Sequence, residues 1–202
     1  MQADIAEQLR EHRAGVLIAR RERAMPFIAV RKETEERIDI TTIANPRAVL
    51  KSGECLCQLC GCPMIVKAGI VRQHHFAHIG QCTRDYQSHP ESPAHQDAKR
   101  YLATRLGEWF EEYANATIEY EVPIPAVRRI ADLLVTFPTG WRVAHEVQLA
   151  AITTEELQRR TNDYTLAGID VTWWLGKSAN TPANREWCQR TFGYVLCITA
   201  YE

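Results

Sequence analysis

The chain has 202 residues, 46% of them hydrophobic and 24% charged, with a formal net charge of −1. These values are ordinary for a globular protein with an apolar core, and the length fits one medium domain with a small appendage. They exclude a membrane-spanning protein, because no segment approaches the ~20 apolar residues needed. They argue against a protein that coats nucleic acid through its overall charge. The charged N-terminal segment does not resemble a secretory signal, so a cytoplasmic protein is expected.

The first part of the chain predicts a helix followed by a small module. Residues 3–22 form the predicted N-terminal helix, within a segment that we bound at 1–24. Two short apolar runs, 27–30 and 38–41, flank a polar stretch and predict a β-hairpin. Cysteines and histidines are concentrated in residues 55–82. The hairpin and this cluster together define a predicted module over residues 25–85.

Residues 86–202 predict a larger α/β domain. Ser92 and Pro93 are typical of the first residues of a helix, here one that extends to Tyr113. Thr153 with Glu156 predicts the start of a second helix, which ends at Gly168. The predicted strands are 117–122, 127–137, 141–149, 169–175 and 194–200, with a short helix at 182–190. The order is helix, three strands, helix, strand, and the strand–helix–strand segment implies a right-handed parallel crossover.

The cysteine and histidine segment predicts a structural zinc site. Cys57 and Cys60 have the two-residue spacing with which two thiolates bind one Zn²⁺ from a tight turn. His78 and Cys82, four residues apart, are the predicted second pair, and His75 is the preferred substitute. The neighbouring His74, Cys55 and Cys62 leave other ligand sets open, as does a site without metal. Four nitrogen and sulfur ligands leave no open position, so such a zinc ion would be structural.

Two acidic residues lie inside strongly apolar strands. Asp132 and Glu146 are costly to bury unless they are paired or bind a metal. The loop 138–140 predicts a hairpin in which Asp132 lies directly opposite Glu146, with Gln148 on the same face. Such oxygen ligands suit Mg²⁺ or Mn²⁺. The alternatives are separate exposure at strand ends, or salt bridges to Arg128 and Arg129; a one-residue slip in register would remove the site.

The chain resembles the competence protein CoiA-like nucleases of the PD-(D/E)xK superfamily. The matching segments are CQLCGCP, HHFAH, ESPAHQDAK, RRIADLL, HEVQLA and RRTNDYTLAGIDVTWWL, in the family's order over residues 25–176. The resemblance implies an α/β fold with a restriction-endonuclease-like αβββαβ core. A small β-hairpin and zinc-ribbon-like module precedes this core.

The resemblance also implies roles for individual residues. Asp132 and Glu146 become the metal-binding pair, and Gln148 stands where most members have lysine. Glu91 becomes a further acidic ligand at the start of the first core helix. Lys99 can replace the missing lysine, because Glu91, His95 and Lys99 are spaced along one helix face. On the second helix, Arg160 and Tyr164 are expected to flank the site, with Arg160 holding a phosphate.

The expected function is hydrolysis of phosphodiester bonds in DNA with catalytic Mg²⁺ or Mn²⁺ and structural Zn²⁺. Single-stranded, branched and duplex DNA remain open as substrates, and DNA processing, recombination, repair and uptake remain open as processes. A homo-oligomer or a recombination-protein partner is also open. The first alternative is a catalytically inactive, zinc-containing DNA-binding module, which the missing lysine and the near-neutral charge favour. The second is a zinc-containing regulatory protein that binds other proteins.

Overall fold

The structure is a computed structural model that describes residues 25–70, 72–79 and 92–198. The predicted helix within residues 1–24 lies outside these ranges, as do Cys82 and Glu91. None of the helices in the described ranges is long and apolar enough to cross a membrane.

The N-terminal module is one antiparallel sheet of five strands in the order β2-β1-β3-β4-β5. The predicted hairpin is confirmed, because β1 pairs with β2 over Ile28↔Asp39 to Val30↔Arg37. The second predicted run is shorter than expected, since the chain turns at Ile40–Thr42, where the Asp39 side chain accepts from the Thr41 amide. The strands are β1 Ile28–Arg31, β2 Arg37–Asp39, β3 Cys55–Leu56, β4 Pro63–Lys67 and β5 His75–His78.

The module has a small apolar core of its own. Phe27, Ile40 and Phe76 are fully buried, and Ile28 and Met64 are 1% exposed. A short helix α1, Pro46–Val49, lies between β2 and β3. Strands β3 to β5 run through the cysteine and histidine segment, so Cys57 and Cys60 lie in the connection between β3 and β4, and His78 lies at the end of β5.

The second sheet has the order β10-β9-β8-β7-β6. Strands β6, β7 and β8 form an antiparallel meander, whereas β8 and β9 pair in parallel through a helical crossover, as predicted. The short β10 pairs in parallel with β9. The strands are β6 Thr117–Ile124, β7 Arg129–Thr136, β8 Arg142–Gln148, β9 Asp170–Leu175 and β10 Leu196–Cys197.

Three helices cover this second sheet: α2 Pro93–Trp109, α3 Thr154–Leu166 and α4 Pro182–Phe192. Ser92 and Thr153 cap α2 and α3 as predicted, each accepting a hydrogen bond from the amide three residues on. Helix α2 ends four residues before the predicted Tyr113, because Phe110 is extended and a single 3-10 turn follows.

The helices bury opposite faces of the sheet. Helix α2 packs Ala98, Leu102 and Leu106 against one face, in a cluster with Leu133 and Val147. The other face lies under α3 and α4, in a second apolar cluster that includes Leu134, Ala144, Leu157, Tyr164, Trp173 and Trp187. The α/β class, the αβββαβ core and a preceding small module are therefore confirmed.

Candidate functional site

The register between β7 and β8 is the one predicted from the hairpin loop. Leu133 pairs with His145, and the pairing continues regularly to Thr136 with Arg142. One step beyond this ladder, the Asp132 amide donates to Glu146 Oε1 over 3.3 Å. The next amide, that of Val147, donates to Asp132 Oδ2 over 2.9 Å. The regular backbone ladder thus gives way to side-chain contacts at the two acidic residues.

Asp132 is held by the histidine of helix α2. His95 Nε2 lies 3.1 Å from Asp132 Oδ2 and 2.9 Å from the Val147 carbonyl oxygen. Since both neighbours are acceptors, this nitrogen carries the proton. Burial opposes ionisation of Asp132, but the charge and hydrogen bond of His95, the charge of Lys99 and the Val147 amide outweigh it. The pKa of Asp132 is therefore held well below its usual range, and the carboxylate is ionised at neutral pH.

Glu146 is 1% exposed and is contacted by two residues of helix α3. The Arg160 guanidinium donates to Oε2, and the Tyr164 hydroxyl donates to Oε1 over 2.6 Å. Burial raises the pKa of Glu146, Arg160 acts in the opposite direction, and the neighbouring Asp132 charge raises it further. Two nearby carboxylates with pKa values shifted in opposite directions are typical of a functional site.

Gln148 lies on the same side of β8 as Glu146. Its Oε1 accepts from Arg160 Nη1 over 3.1 Å, and its Nε2 donates to the Ala150 carbonyl oxygen over 2.8 Å. The carboxamide oxygen therefore faces the site. Arg160 also lies over the Trp173 ring, 4.7 Å from its centroid, which helps to fix the guanidinium.

Lys99 lies on the buried face of helix α2 with no exposed surface, so it is not an ordinary solvated lysine. Its Nζ donates to Glu121 Oε1 over 2.8 Å. The charge of Lys99 also lowers the pKa of Asp132. Lys99 and Arg160 are thus the two buried cations near the acidic pair, the first contacting Glu121 and the second Glu146.

The acidic pair contacts other residues than Arg128 and Arg129, the salt-bridge partners considered from the sequence. Arg129 donates to Asp163 Oδ2 from Nε over 2.8 Å and from Nη2 over 2.6 Å. Asp132 contacts His95 instead, and Glu146 contacts Arg160. Two carboxylates and one carboxamide oxygen are a donor set that suits a hard divalent cation. Burial is the main cause of the raised pKa of Glu146, and the charge of Asp132 raises it further.

The module contains a second cluster of metal-ligand type. Atoms of Cys57, Cys60 and His78 lie within 4.8 Å of one another, and Cys60 Sγ is 3.3 Å from His78 Nε2. Gly61, with a φ of +69°, donates its amide to the Cys57 carbonyl oxygen and closes the turn. Burial raises the pKa of the Cys57 thiol to about 12 and lowers the pKa of His78. A bound metal displaces thiol protons, so this cluster can hold a metal ion.

Two histidines considered as substitutes lie elsewhere. His75 is three residues before His78 in the same strand, and its Nδ1 contacts the Gln73 carbonyl oxygen over 2.8 Å. Because strand residues alternate in direction, His75 and His78 face opposite sides. His74 lines a cleft between the module and helix α2. Within the described ranges, the group that could hold a metal ion therefore contains His78 but neither His74 nor His75.

Glu121 was missed by sequence reasoning. In the run Thr-Ile-Glu-Tyr-Glu-Val it alternates with apolar residues, a pattern typical of a solvent-facing side chain. Glu119 fits that pattern with its side chain 41% exposed, but the Glu121 side chain is only 7% exposed. The contact between the two sheets buries it, and the strand pattern carries no signal of that contact.

Comparisons with known proteins agree with this architecture. Residues 91–199 match the family "Competence protein CoiA, nuclease-like domain", and residues 40–84 match "Competence protein CoiA, N-terminal domain". Competence protein CoiA of Bacillus subtilis (strain 168) is 29% identical over 135 residues, which cover 67% of this chain and 35% of that protein. The chain thus spans about a third of the length of this relative.

Among solved structures, the chain is similar to a repair endonuclease from Pyrococcus abyssi. The TM-score is 0.34 at 16% sequence identity, over 68% of this chain and 61% of the other. The match to the nuclease-like domain alone covers more than half of the sequence, and its limits coincide with the second sheet and its helices. The chain therefore belongs to the competence protein CoiA family, with that family's N-terminal domain followed by its nuclease-like domain.

Proposed function

We propose that this chain is a nuclease that hydrolyses phosphodiester bonds in DNA with the help of Mg²⁺ or Mn²⁺. The observation that carries the proposal is the meeting of Asp132 and Glu146 at the end of the β7–β8 ladder. One carboxylate is kept ionised there, while the pKa of the other is raised. The nuclease-like domain name of the family supports the same reaction class.

Asp132, Glu146 and the Gln148 carboxamide oxygen would hold the divalent cation. Bound there, the cation would lower the pKa of a water molecule and neutralise charge that develops on the phosphate. Arg160 carries a fork of N–H donors that suits a phosphate oxygen, and it is our proposed phosphate contact. Tyr164 fixes the orientation of Glu146 through its 2.6 Å hydrogen bond. Lys99 adds positive charge beside Asp132.

The cysteine and histidine cluster has a separate proposed role. Cys57, Cys60 and His78 would hold Zn²⁺ together with Cys82, the predicted fourth ligand, whose position lies outside the described ranges. Thiolate and imidazole ligands suit zinc, and a closed set of four stabilises a fold without performing chemistry. The zinc ion would hold together a module whose core is small.

A cleft between the module and helix α2 offers a proposed path for DNA. Arg72 and His74 line it from the module, and Arg100 lines it from the helix that also carries His95 and Lys99. Local basic residues of this kind provide phosphate contacts in a chain whose net charge is only −1. Processing, recombination, repair or uptake of DNA in the cytoplasm would be consistent with such an enzyme.

The test is cleavage of labelled single-stranded, duplex and branched DNA with Mg²⁺ or Mn²⁺. Asp132→Asn and Glu146→Gln are expected to lower the rate at least about a hundredfold, since each removes a ligand charge from the proposed cation site. Asp170→Asn is the matched control, because this exposed carboxylate of β9 contacts Trp141 and not the site. Equal cleavage by all three variants would contradict the proposal.

A DNA-binding module without catalytic activity is the second candidate. It is favoured by Gln148 at the usual lysine position and by Arg160, which already neutralises Glu146. This candidate predicts that DNA binding is retained and that no cation or substrate in the panel gives a cleavage product. The cleavage assay therefore separates the two candidates.

A further inference from the structure

The two sheets meet at Glu121, a residue of β6. Tyr120 pairs with Leu133 and Val122 with Ala131, so Glu121 lies across the strand pair from Asp132. Its backbone adopts a left-handed conformation, with a φ of +53°, which is uncommon for a residue other than glycine. Buried residues in such conformations are held by their surroundings and occur preferentially at functional sites.

The surroundings of Glu121 come largely from the N-terminal module. The Phe27 amide donates to both carboxylate oxygens, over 2.9 and 3.0 Å, and the Ile28 amide donates to Oε2 over 3.3 Å. Gln58, which lies between Cys57 and Cys60, donates from Nε2 to the Glu121 carbonyl oxygen over 2.8 Å. The residue is therefore bound by the first strand of the module and by the loop that carries two metal-ligand candidates.

The same carboxylate holds Lys99. The two side chains form a 2.8 Å ion pair in which Lys99 has no exposed surface and Glu121 is 7% exposed. The Lys99 ammonium also lies over the Phe27 ring, 5.2 Å from its centroid. A buried cation is costly without an anionic partner, so Lys99 needs a neighbouring carboxylate, and Glu121 is the one it contacts.

We propose that Glu121 is a positioning residue that couples the N-terminal module to the Asp132 site. Glu121 holds the Lys99 ammonium beside that site and prevents it from competing directly with a cation for the Asp132 carboxylate. The inference rests on the proposed cation-binding function of Asp132 and Glu146. When the module is docked, its amides fix Glu121, and Glu121 fixes Lys99. When Glu121 loses its charge, Asp132 becomes the neighbouring carboxylate that can take up the Lys99 ammonium. Lys99 would then compete with a divalent cation.

The test is an equilibrium titration of the zinc-loaded full chain with Mn²⁺, in which calorimetry measures the binding. Glu121→Gln is expected to weaken Mn²⁺ binding about tenfold, a coupling free energy of ordinary size. Glu119→Gln is the matched control: the same substitution two residues away breaks a module contact, the exposed pair with Arg37, without touching Lys99. It is expected to bind Mn²⁺ like the parent.

A rescue separates positioning from a general effect on folding. Lys99→Met is expected to bind Mn²⁺ at least as tightly as the parent, because a repelling charge is removed, and to cleave DNA more slowly. Adding Glu121→Gln to Lys99→Met should change the Mn²⁺ affinity less than about twofold, since Glu121 acts through Lys99. If the single Glu121→Gln chain does not fold, this comparison of Lys99→Met with the double variant carries the test.

Different outcomes overturn different claims. The proposed function, and with it this inference, is overturned if the parent protein binds no Mn²⁺. The same holds if the Asp132→Asn variant binds Mn²⁺ with the affinity of the parent. Parent protein that binds Mn²⁺ at Asp132 while Glu121→Gln binds equally well overturns the inference alone. So does a loss of affinity in Glu121→Gln that persists when Lys99 is replaced by Met.

Discussion

The cysteine–histidine cluster and the acidic site are both sets of metal-ligand type, but they are held together differently. Cys57, Cys60 and His78 lie on a turn and a neighbouring strand, with a 3.3 Å contact between Cys60 and His78. Burial keeps the Cys57 thiol protonated, with a pKa of about 12. The Cys57 side chain is therefore neutral without a metal.

The acidic site contains its own positive charges. His95 contacts Asp132, and Arg160 and Tyr164 contact Glu146, in an arrangement that links helices α2 and α3 to the sheet. The site is thus held by ion pairs and hydrogen bonds within the nuclease-like domain. We therefore expect the module to need a metal for its fold, and the acidic site in the second sheet to need one only for chemistry.

Removal of the proposed structural zinc ion should have the largest effect. A strong chelator should expose strands β1 to β5 to hydrogen exchange while β7 and β8 stay protected, because zinc contributes about 10 kcal/mol or more to such small sites. Cys60→Ser should do the same without chelator, and Cys197→Ser, at an exposed cysteine, should not. Mass-spectrometric hydrogen exchange measures this, and a module that keeps its protection without metal would contradict the expectation.

Loss of the guanidinium inside the acidic site should rank second. Arg160→Met leaves Glu146 buried without its cation and should lower the free energy of unfolding by about 3–5 kcal/mol at pH 7. The loss should shrink at lower pH, because the raised pKa of Glu146 lets the side chain become neutral there. Arg159→Met is the matched control, since Arg159 pairs with Glu156 on the exposed face. Urea denaturation at both pH values is the measurement, and equal effects of the two substitutions would contradict the account.

Acid should destabilise the second sheet through His145, on the face opposite to the acidic site. Trp174 Nε1 donates to its Nδ1 over 3.0 Å, and burial lowers its pKa to about 4. A histidine with a lowered pKa stabilises the fold fully above the unfolded value of about 6.5, and this contribution is lost as the pH falls towards 4.

The expected loss is about 3 kcal/mol, from about 1.4 kcal/mol for each unit of pKa shift. It should be absent in His145→Gln. The difference in unfolding free energy between parent and variant, followed from pH 7 to pH 4, measures it. A difference that does not change with pH would show that His145 does not sense acid in this way.

The smallest effect is expected at the surface of the junction between the sheets. The Arg37–Glu119 pair is partly exposed, with side chains 31% and 41% accessible, and such pairs contribute less than about 1 kcal/mol. Glu119→Gln should therefore change the melting temperature by a few degrees at most. A large loss of stability in a thermal melt would mean that the junction depends on this pair and not on buried Glu121.

The second sheet could be predicted well from the sequence because its information is local. The short loop 138–140, with Gly140 at a φ of +83°, fixes the register that brings Asp132 to Glu146. Cap residues such as Ser92 and Thr153 mark the helix starts. Side-chain contacts among neighbouring strands follow once the register is known.

The partners of the charged residues could not be predicted in the same way. Sequence reasoning considered Arg128 and Arg129 beside the acidic pair, whereas Arg160 from the crossover helix takes that place. The burial of Glu121 and Lys99 depends on how the module docks, which no periodicity in either segment encodes. The five-stranded module sheet was incompletely predicted for a related reason, since its strands are short and pair across long loops.

The most direct test of the central claim is the number of Mn²⁺ ions bound by the zinc-loaded chain and by its Asp132→Asn, Glu146→Gln double variant. We expect at least one Mn²⁺ per parent chain, none at this site in the double variant, and the same zinc content in both. Equal Mn²⁺ binding by the two proteins would contradict it, because the two carboxylates would then not be the ligands.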